Sequence, residues 1–276
     1  MKKQFDLWFP FIIYFLFIPG LIVAIFLFSN DLKQFLLLNV LHPTPLSIIG
    51  SNYLHTDVPH MLSNLIAYLL VMALIFFFDY QTHKKMLYVN MLLLFLLLPI
   101  VTSLLNIVSL IEYNVNVFLK GFSAITAGVF GYLAYSLFHY IRERYQVVYK
   151  RSVFQLMWLI IYVNLAMISL IYEYYLIAIV IIFLILLTLM NTYSDYLEIL
   201  NVLRKIDFLP RTILFFGFLL SLLAVVPGLF PENVQQNGMV VNVYAHYIGY
   251  IFGFGIPAIV AEYMLKDRKD ASNMKN

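Results

Sequence analysis

Residues 154–190 read FQLMWLIIYVNLAMISLIYEYYLIAIVIIFLILLTLM, and this stretch decides the topology of the chain. It is 37 residues long and carries one charged side chain, Glu173. As a single helix it would extend about 55 Å, because an α-helix rises 1.5 Å per residue. The hydrocarbon core of a bilayer is only about 30 Å thick. The stretch therefore predicts a hairpin of two membrane helices that turns at Tyr172–Tyr175.

The composition of the whole chain predicts an integral membrane protein. Of its 276 residues, 63% are hydrophobic and 11% are charged, whereas soluble domains average about 45–50% and about 25%. These values exclude a soluble enzyme, a disordered protein and a nucleic-acid binder. The chain contains no Cys, which excludes disulfides, Cys-ligated metal centres and thiol nucleophiles.

The fold class expected from these patterns is all-α, a polytopic membrane helix bundle that forms one domain over residues 1–276. The first span has no small-residue cleavage site after Lys2 and Lys3, so we expect a retained signal anchor. Residues 191–210 are expected to form a polar cytoplasmic connector, with an amphipathic helix as the alternative, and 266–276 a disordered tail. About eight transmembrane helices are predicted, at 7–28, 60–79, 86–110, 122–141, 154–171, 175–190, 211–229 and 243–264.

The distribution of positive charge predicts that both termini are cytoplasmic. With eight spans and the N-terminus inside, only Lys33 and Lys120 of the 17 Lys and Arg residues fall outside. Cytoplasmic loops of membrane proteins carry the excess of Lys and Arg. Reading 154–190 as one span would instead place the basic C-terminal tail outside. The residues assigned to the inside are Lys2, Lys3, Lys84, Lys85, Arg142, Arg144, Lys150, Arg151, Arg204, Lys205, Arg211, Lys266, Arg268, Lys269 and Lys275.

A few polar side chains fall within the spans, and polar groups there are functional candidates because they are costly in a membrane. His60 and Asn64 lie at the outer end of the second span, on one helix face. Ser123 lies at the outer end of the fourth span and His246 near the outer end of the eighth. All three helices run from outside to inside, so these side chains are expected at a similar depth.

Small residues on the fourth and eighth spans predict that these two helices pack closely. Ser123, Ala127 and Gly131 form one stripe, and Gly249 and Gly253 form a G-x-x-x-G one turn below His246. Such stripes let membrane helices approach each other. Packing along them would bring the Ser123 hydroxyl towards the His246 imidazole, and a Ser activated by a His is a nucleophile–base pair.

Each of these features also has a simpler interpretation. Small-residue stripes commonly serve packing alone, and a serine in a membrane helix commonly bonds its own backbone. An intramembrane His could relay protons or make a structural bond. His55, His60, His246 and Asp57 could instead bind a metal, although no H-E-x-x-H is present and no carboxylate lies within a span near these residues. We expect neither a metal nor another cofactor.

Three motifs together resemble those of the rhomboid intramembrane serine proteases. They resemble the family's H-x4-H-x3-N, its G-x-S-G nucleophile motif and its A-H-x-x-G-x-x-x-G, in that order. The resemblance covers roughly residues 43–141 and 211–260. The matching segments are His55–Asn64 (HTDVPHMLSN), Gly121–Ala124 (GFSA) and Ala245–Gly253 (AHYIGYIFG).

The resemblance implies a serine endopeptidase that cleaves transmembrane segments near the outer membrane boundary with a Ser–His dyad. Ser123 would be the nucleophile and His246 the base, with His60, Asn64 and the Ser123 backbone N–H holding the oxyanion. His55, Gly121, Gly249 and Gly253 would support the site. The implied partners are transmembrane protein substrates and the lipid bilayer, with no nucleic acid and no metal, and the implied location is the plasma membrane as a multi-pass protein.

The chain also departs from the family pattern. Ala124 follows the nucleophile where the family usually has Gly, and Ala127 stands where an aromatic residue often stacks on the catalytic His. The usual core has six spans, whereas the His helix comes eighth here, with the extra pair between the Ser and His helices. The alternative to an active protease is a catalytically inactive rhomboid-like protein that binds membrane-protein clients. A small transporter is a further alternative, but polar groups on both sides of the midplane and internal repeats, which are typical of transporters, are not evident.

Overall fold

The computed structural model describes residues 7–112, 117–145, 150–230, 235–236, 239–240 and 242–273 of the chain. These residues are mostly helical, and the four strands form two short antiparallel pairs. The helices are α1 Trp8–Phe26, α2 Asn30–Leu36, α3 Pro45–Gly50, α4 Val58–Thr82, α5 Lys84–Ile111, α6 Ser123–Arg144, α7 Lys150–Ile171, α8 Tyr175–Arg204, α9 208–229 and α10 Val243–Asn273. The strands are β1 Leu38–Asn39, β2 Phe118–Leu119, β3 Gln235–Gln236 and β4 Met239–Val240.

Six helices of the described residues are long and apolar enough to cross a membrane. They lie in α1, α4, α5, α6, α8 and α10. Two shorter apolar helices, Met157–Ile171 and Phe208–Leu223, lie in α7 and α9. The prediction of an all-α, multi-pass helix bundle is confirmed at this level, and each predicted span overlaps one of these helices.

The predicted hairpin is present as α7 and α8, which pack against each other. The chain reverses at Glu173, whose φ of 61° lies in the left-handed region. The Tyr174 N–H donates to the Ser169 carbonyl at 2.8 Å and closes the turn. Helix α8 then continues to Arg204, so most of the predicted connector 191–210 is helix. An α-helix satisfies its backbone hydrogen bonds internally and can continue past the last apolar residue.

Helix α10 also extends further than the sequence predicts. It runs to Asn273, whereas the pattern predicts a disordered tail from Lys266. Residues 274–276 lie outside the described part of the chain.

The chain divides into two compact units, each described separately. The first comprises Met1–Ala73, His83–Tyr132 and Tyr244–Asn276, and the second Leu74–Thr82 and Leu133–Val243. All the candidate site residues named above belong to the first unit. That the whole chain behaves as a single domain remains a prediction.

The core of the first unit is organised by two prolines that interrupt helices. Pro19 and Pro99 each follow one turn of π-helix, at Ile13–Phe17 and Leu93–Leu97. A proline has no N–H to donate to the preceding turn, and a π-turn shifts the bonding register by one residue. Backbone carbonyls are thereby left without their usual helical partners, and a buried carbonyl needs another donor.

Two buried tyrosine hydroxyls supply those donors. Tyr68 donates to the Tyr14 carbonyl at 2.9 Å, and Tyr53 donates to the Phe95 carbonyl at 2.5 Å. Tyr14 in turn donates through its own hydroxyl to the Leu87 carbonyl. The tyrosines therefore join α1, α4 and α5 and tie the segment before α4 to the π-turn of α5.

The second unit contains its own buried polar contacts. Ser136 of α6 donates to the Asp79 carboxylate of α4 at 2.6 Å, where both side chains are fully buried. Asn164 of α7 donates to the Ser221 carbonyl at 2.9 Å, within the π-turn of α9. These bonds join α4 to α6 and α7 to α9 within that unit.

Candidate active site

Ser123 and His246 are in direct contact. The His246 Nε2 lies 2.6 Å from the Ser123 Oγ, which is a short distance for a hydroxyl donating to an unprotonated imidazole nitrogen. His246 is 6% exposed. The structure therefore brings together the two residues that the sequence predicts as nucleophile and base.

The backbones of α6 and α10 approach so closely that glycine is required at the contact. A Cβ on Gly249 would overlap the Ala124 carbonyl oxygen, and one on Gly253 would overlap the Gly128 carbonyl oxygen. On the facing helix, a Cβ on Gly131 would overlap the Tyr250 carbonyl oxygen. The predicted small-residue stripes thus form the helix contact that carries the Ser–His pair.

The segment before the nucleophile is held by backbone contacts. Gly121 has a φ of +134°, which L side chains rarely adopt. Its N–H donates to the Ser51 carbonyl at 2.9 Å. Strand β2 pairs with β1 just before this point, with Leu119 opposite Leu38. Helix α6 then begins at Ser123, so the hydroxyl lies at a helix N-terminus.

His60 lies beside the nucleophile segment. A Cβ placed on Gly121 would be 3.6 Å from the Ser123 Oγ and 3.9 Å from the His60 Cε1, which puts Gly121 next to both groups. His60 lies in the first turn of α4 and is partly exposed. A side chain at Gly121 would therefore enter the space next to both the hydroxyl and the imidazole.

Asn64 lies one turn beyond His60 and is buried, with 8% of its surface exposed. Its Nδ2 donates to the His60 carbonyl at 3.1 Å. Because an amide nitrogen carries two hydrogens, this bond uses one of them and orients the other. The bond between the two residues was not foreseen from the sequence.

His55 is buried against His60 and the residue preceding the nucleophile. Its ring centroid lies 5.3 Å from that of His60, edge to face, and 6.4 Å from that of Phe122. Burial, followed by the nearby charge of His60, lowers the pKa of His55 to about 4. His55 is therefore a neutral packing partner at physiological pH, and its supporting role remains a prediction.

The residues just before α4 contribute contacts that the sequence shows only in part. Asp57 accepts the backbone N–H of His60 through Oδ1 at 2.8 Å and caps the helix, as its position predicts. Thr56 was not identified from the sequence, yet its Oγ1 lies 2.9 Å from the Asp57 Oδ2 and 3.3 Å from the His60 Nδ1. The only sequence signal is a hydroxyl residue placed directly before the cap.

Ala124 and Ala127, the two departures from the family pattern, are both buried on α6. The Ala124 backbone lies against Gly249 of α10, so the residue after the nucleophile is part of the helix contact. The Ala127 methyl group fills far less space than the aromatic ring often found there.

Three helix N-termini come together around these side chains. His60, Ser123 and His246 lie in or next to the first turns of α4, α6 and α10. The N-terminus of a helix carries a partial positive charge and unpaired N–H groups. The site therefore combines a nucleophile–base pair with an environment that favours negative charge on a bound group.

Within the described residues, no group of three or more His, Asp or Glu side chains is arranged to hold a metal ion. Comparison of this chain with protein-family models, with curated proteins and with solved structures gives no match.

Proposed function

We propose that this chain is a rhomboid-type intramembrane serine endopeptidase. The observation that carries the proposal is the 2.6 Å contact between the Ser123 Oγ and the His246 Nε2. It joins two residues 123 positions apart in the sequence. Their helices approach through glycines that leave no room for a side chain.

In the proposed reaction, Ser123 attacks the carbonyl carbon of a peptide bond while the His246 Nε2 takes the hydroxyl proton. The same imidazole then gives that proton to the leaving amine. Water, activated in the same way, releases the acyl group and restores the serine. Packing around His246 would hold its ring in place, a task that a third residue performs in a catalytic triad.

The tetrahedral oxyanion would be held by the Ser123 backbone N–H, His60 and Asn64. Ser123 is the first residue of α6, and the first N–H groups of a helix have no partner within it. His60 and Asn64 come from α4 and share one face of it. Removing one donor of such a set typically lowers the rate by about 10²–10³.

The proposed topology has eight spans with both termini in the cytoplasm, and the site then lies near the outer face of the plasma membrane. The substrates would be transmembrane segments of other proteins. Since a membrane helix satisfies all its backbone hydrogen bonds, a segment must unwind before its peptide bond can reach Ser123. Small or helix-breaking residues are therefore expected at the cleavage site.

A fluorophosphonate probe tests the proposal without knowledge of the substrate. The detergent-purified protein should be labelled, and Ser123→Ala and His246→Ala should abolish labelling. Ser109→Ala is a matched control, because this exposed serine of α5 only bonds the Leu105 carbonyl, and it should be labelled like the wild type. Equal labelling of Ser123→Ala would refute the assignment of the nucleophile.

A second function, client binding by an inactive relative, is favoured by one residue. Ala124 follows the serine and is 2% exposed, and its methyl group adds bulk where the family has none. Absence of labelling in a folded wild type, together with labelling of Ala124→Gly, would support this function.

A further inference from the structure

Thr56 lies between a carboxylate and the imidazole of His60, and this arrangement bears on how His60 could act. Its Oγ1 is 2.9 Å from the Asp57 Oδ2 and 3.3 Å from the His60 Nδ1. A hydroxyl has a single proton to donate. Thr56 can therefore donate to Asp57 or to His60, and its choice decides which ring nitrogen of His60 carries a hydrogen.

The ionisation of Asp57 settles that choice. The pKa of Asp57 is lowered because its carboxylate accepts the His60 backbone N–H and the Thr56 hydroxyl. Asp57 is therefore ionised at physiological pH and can only accept hydrogen bonds. Bonds to an ionised acceptor are roughly twice as strong as neutral ones, and the contact with Asp57 is also the shorter of the two. The Thr56 hydroxyl therefore donates its proton to a hydrogen bond with the Asp57 carboxylate. The Thr56 oxygen can then only accept a hydrogen bond from the His60 Nδ1.

From this geometry we infer that Asp57 and Thr56 are positioning residues that fix the proton of neutral His60 on Nδ1. The chain of bonds runs from the His60 Nδ1–H to the Thr56 oxygen, and from the Thr56 hydroxyl to the Asp57 carboxylate. The Nε2 of neutral His60 then has a lone pair and no hydrogen. His60 can donate from Nε2 only after gaining a second proton, as an imidazolium whose charge Asp57 balances.

The inference rests on the proposed function for its catalytic meaning. A charged donor would stabilise an oxyanion more than a neutral one. Turnover would then fall as the pH rises and His60 loses its second proton. The charges that act on this ring are the carboxylate of Asp57, which favours the imidazolium, and the ammonium of Lys120 before the nucleophile segment, which disfavours it. His55, which packs against the ring, is neutral at physiological pH. His246 and Ser123 face the same space from α10 and α6.

Asp57→Asn offers a sharp test because it reverses the chain of bonds. The Asn Oδ1 can still accept the His60 N–H and cap the helix. Its Nδ2 would take the place of the Oδ2 and donate to the Thr56 oxygen. Thr56 would then donate its own proton to the His60 Nδ1, and neutral His60 would carry its hydrogen on Nε2.

The direct measurement is ¹⁵N NMR of the histidine side chains in detergent at alkaline pH, with His60→Gln to assign the signal. The wild type should show a protonated Nδ1 on His60, and Asp57→Asn should show a protonated Nε2. Ser63→Ala is the control, since its hydroxyl bonds the His60 carbonyl and not the ring, and it should match the wild type. A protonated Nε2 in the wild type would overturn the inference.

The pH dependence of turnover gives the second readout. We expect the alkaline decline in kcat to disappear in Asp57→Asn, since neutral His60 could then donate, and maximal kcat to fall roughly tenfold as a weaker neutral donor replaces a charged one. An unshifted profile in a folded variant would reduce Asp57 to a helix cap and overturn the inference. Because the NMR measurement needs no activity, a wild type with the predicted proton but without turnover would refute only the proposed function.

Discussion

At the scale of single residues, the site is defined by a few short polar contacts. The Ser123 Oγ lies 2.6 Å from the His246 Nε2, and the Asn64 amide donates to the His60 carbonyl with one of its two hydrogens. In the proposed reaction, the remaining Asn64 hydrogen is the one that would bond the oxyanion. His60 and Asn64 are therefore coupled, and a change at one should disturb the other.

Replacing Asn64 with Ala should lower kcat by about 10²-fold or less and leave KM nearly unchanged, because an oxyanion donor acts mainly in the transition state. Asn64→Asp keeps the size of the side chain but offers no hydrogens when ionised, so its kcat should fall at least as far. Steady-state kinetics with a membrane-protein substrate measures both values. Wild-type kcat in both variants would show that Asn64 is not an oxyanion donor.

At the scale of the elements, the site depends on how closely α6 and α10 approach. Gly253 lies two turns beyond His246, and a Cβ there would overlap the backbone of Gly128. Gly255 lies on the same helix and has open space where its Cβ would be. A substitution at Gly253 tests the contact between the two helices. The same substitution at Gly255 is the control for replacing a glycine in α10 away from that contact.

Gly253→Ala should push the two helices apart, lengthen the Ser123–His246 contact and slow fluorophosphonate labelling. Overpacking of this kind typically costs about 1–3 kcal/mol, so thermal unfolding in detergent should also occur at a lower temperature. Gly255→Ala should label at the wild-type rate and be at least as stable, because alanine favours a helix over glycine by roughly 1 kcal/mol. Equal behaviour of the two variants would show that the close approach at Gly253 is unimportant for the site.

The sequence predicts the helices well because a helix that crosses a bilayer must be apolar over about 20 residues. The G-x-x-x-G predicts the close helix contact because small residues let membrane helices approach each other. It does not predict the two π-turns of the first unit, although Pro19 and Pro99 mark their places. A proline removes a bond, but which carbonyl is left over and which tyrosine reaches it depends on packing. The sequence does not identify Thr56 for the same reason, because its contacts with Asp57 and His60 depend on the direction of its side chain.

At the scale of the whole molecule, the arrangement of charge is the strongest argument for the direction in which the chain crosses the membrane. Fifteen of the 17 Lys and Arg residues fall on one side if α7 and α8 form two spans. Helix α7 includes one of the two shorter apolar helices, Met157–Ile171. The hairpin is therefore the part of the topology that most needs a direct test, and the orientation of α10 depends on it.

The topology can be tested by labelling single-cysteine variants, because the sequence has no Cys and an introduced Cys is the only thiol in the chain. Tyr174→Cys lies at the exposed turn of the hairpin and should react with a membrane-impermeant maleimide in intact cells, as should Lys33→Cys on the same predicted side. Lys205→Cys, which follows α8 directly, should react only after the membrane is opened. If only one of α7 and α8 crosses the membrane, position 205 lies outside, and Lys205→Cys should instead react in intact cells. The Ser and His helices would then run in opposite directions through the membrane, which the contact between Ser123 and His246 does not permit, since both residues lie near the N-termini of their helices.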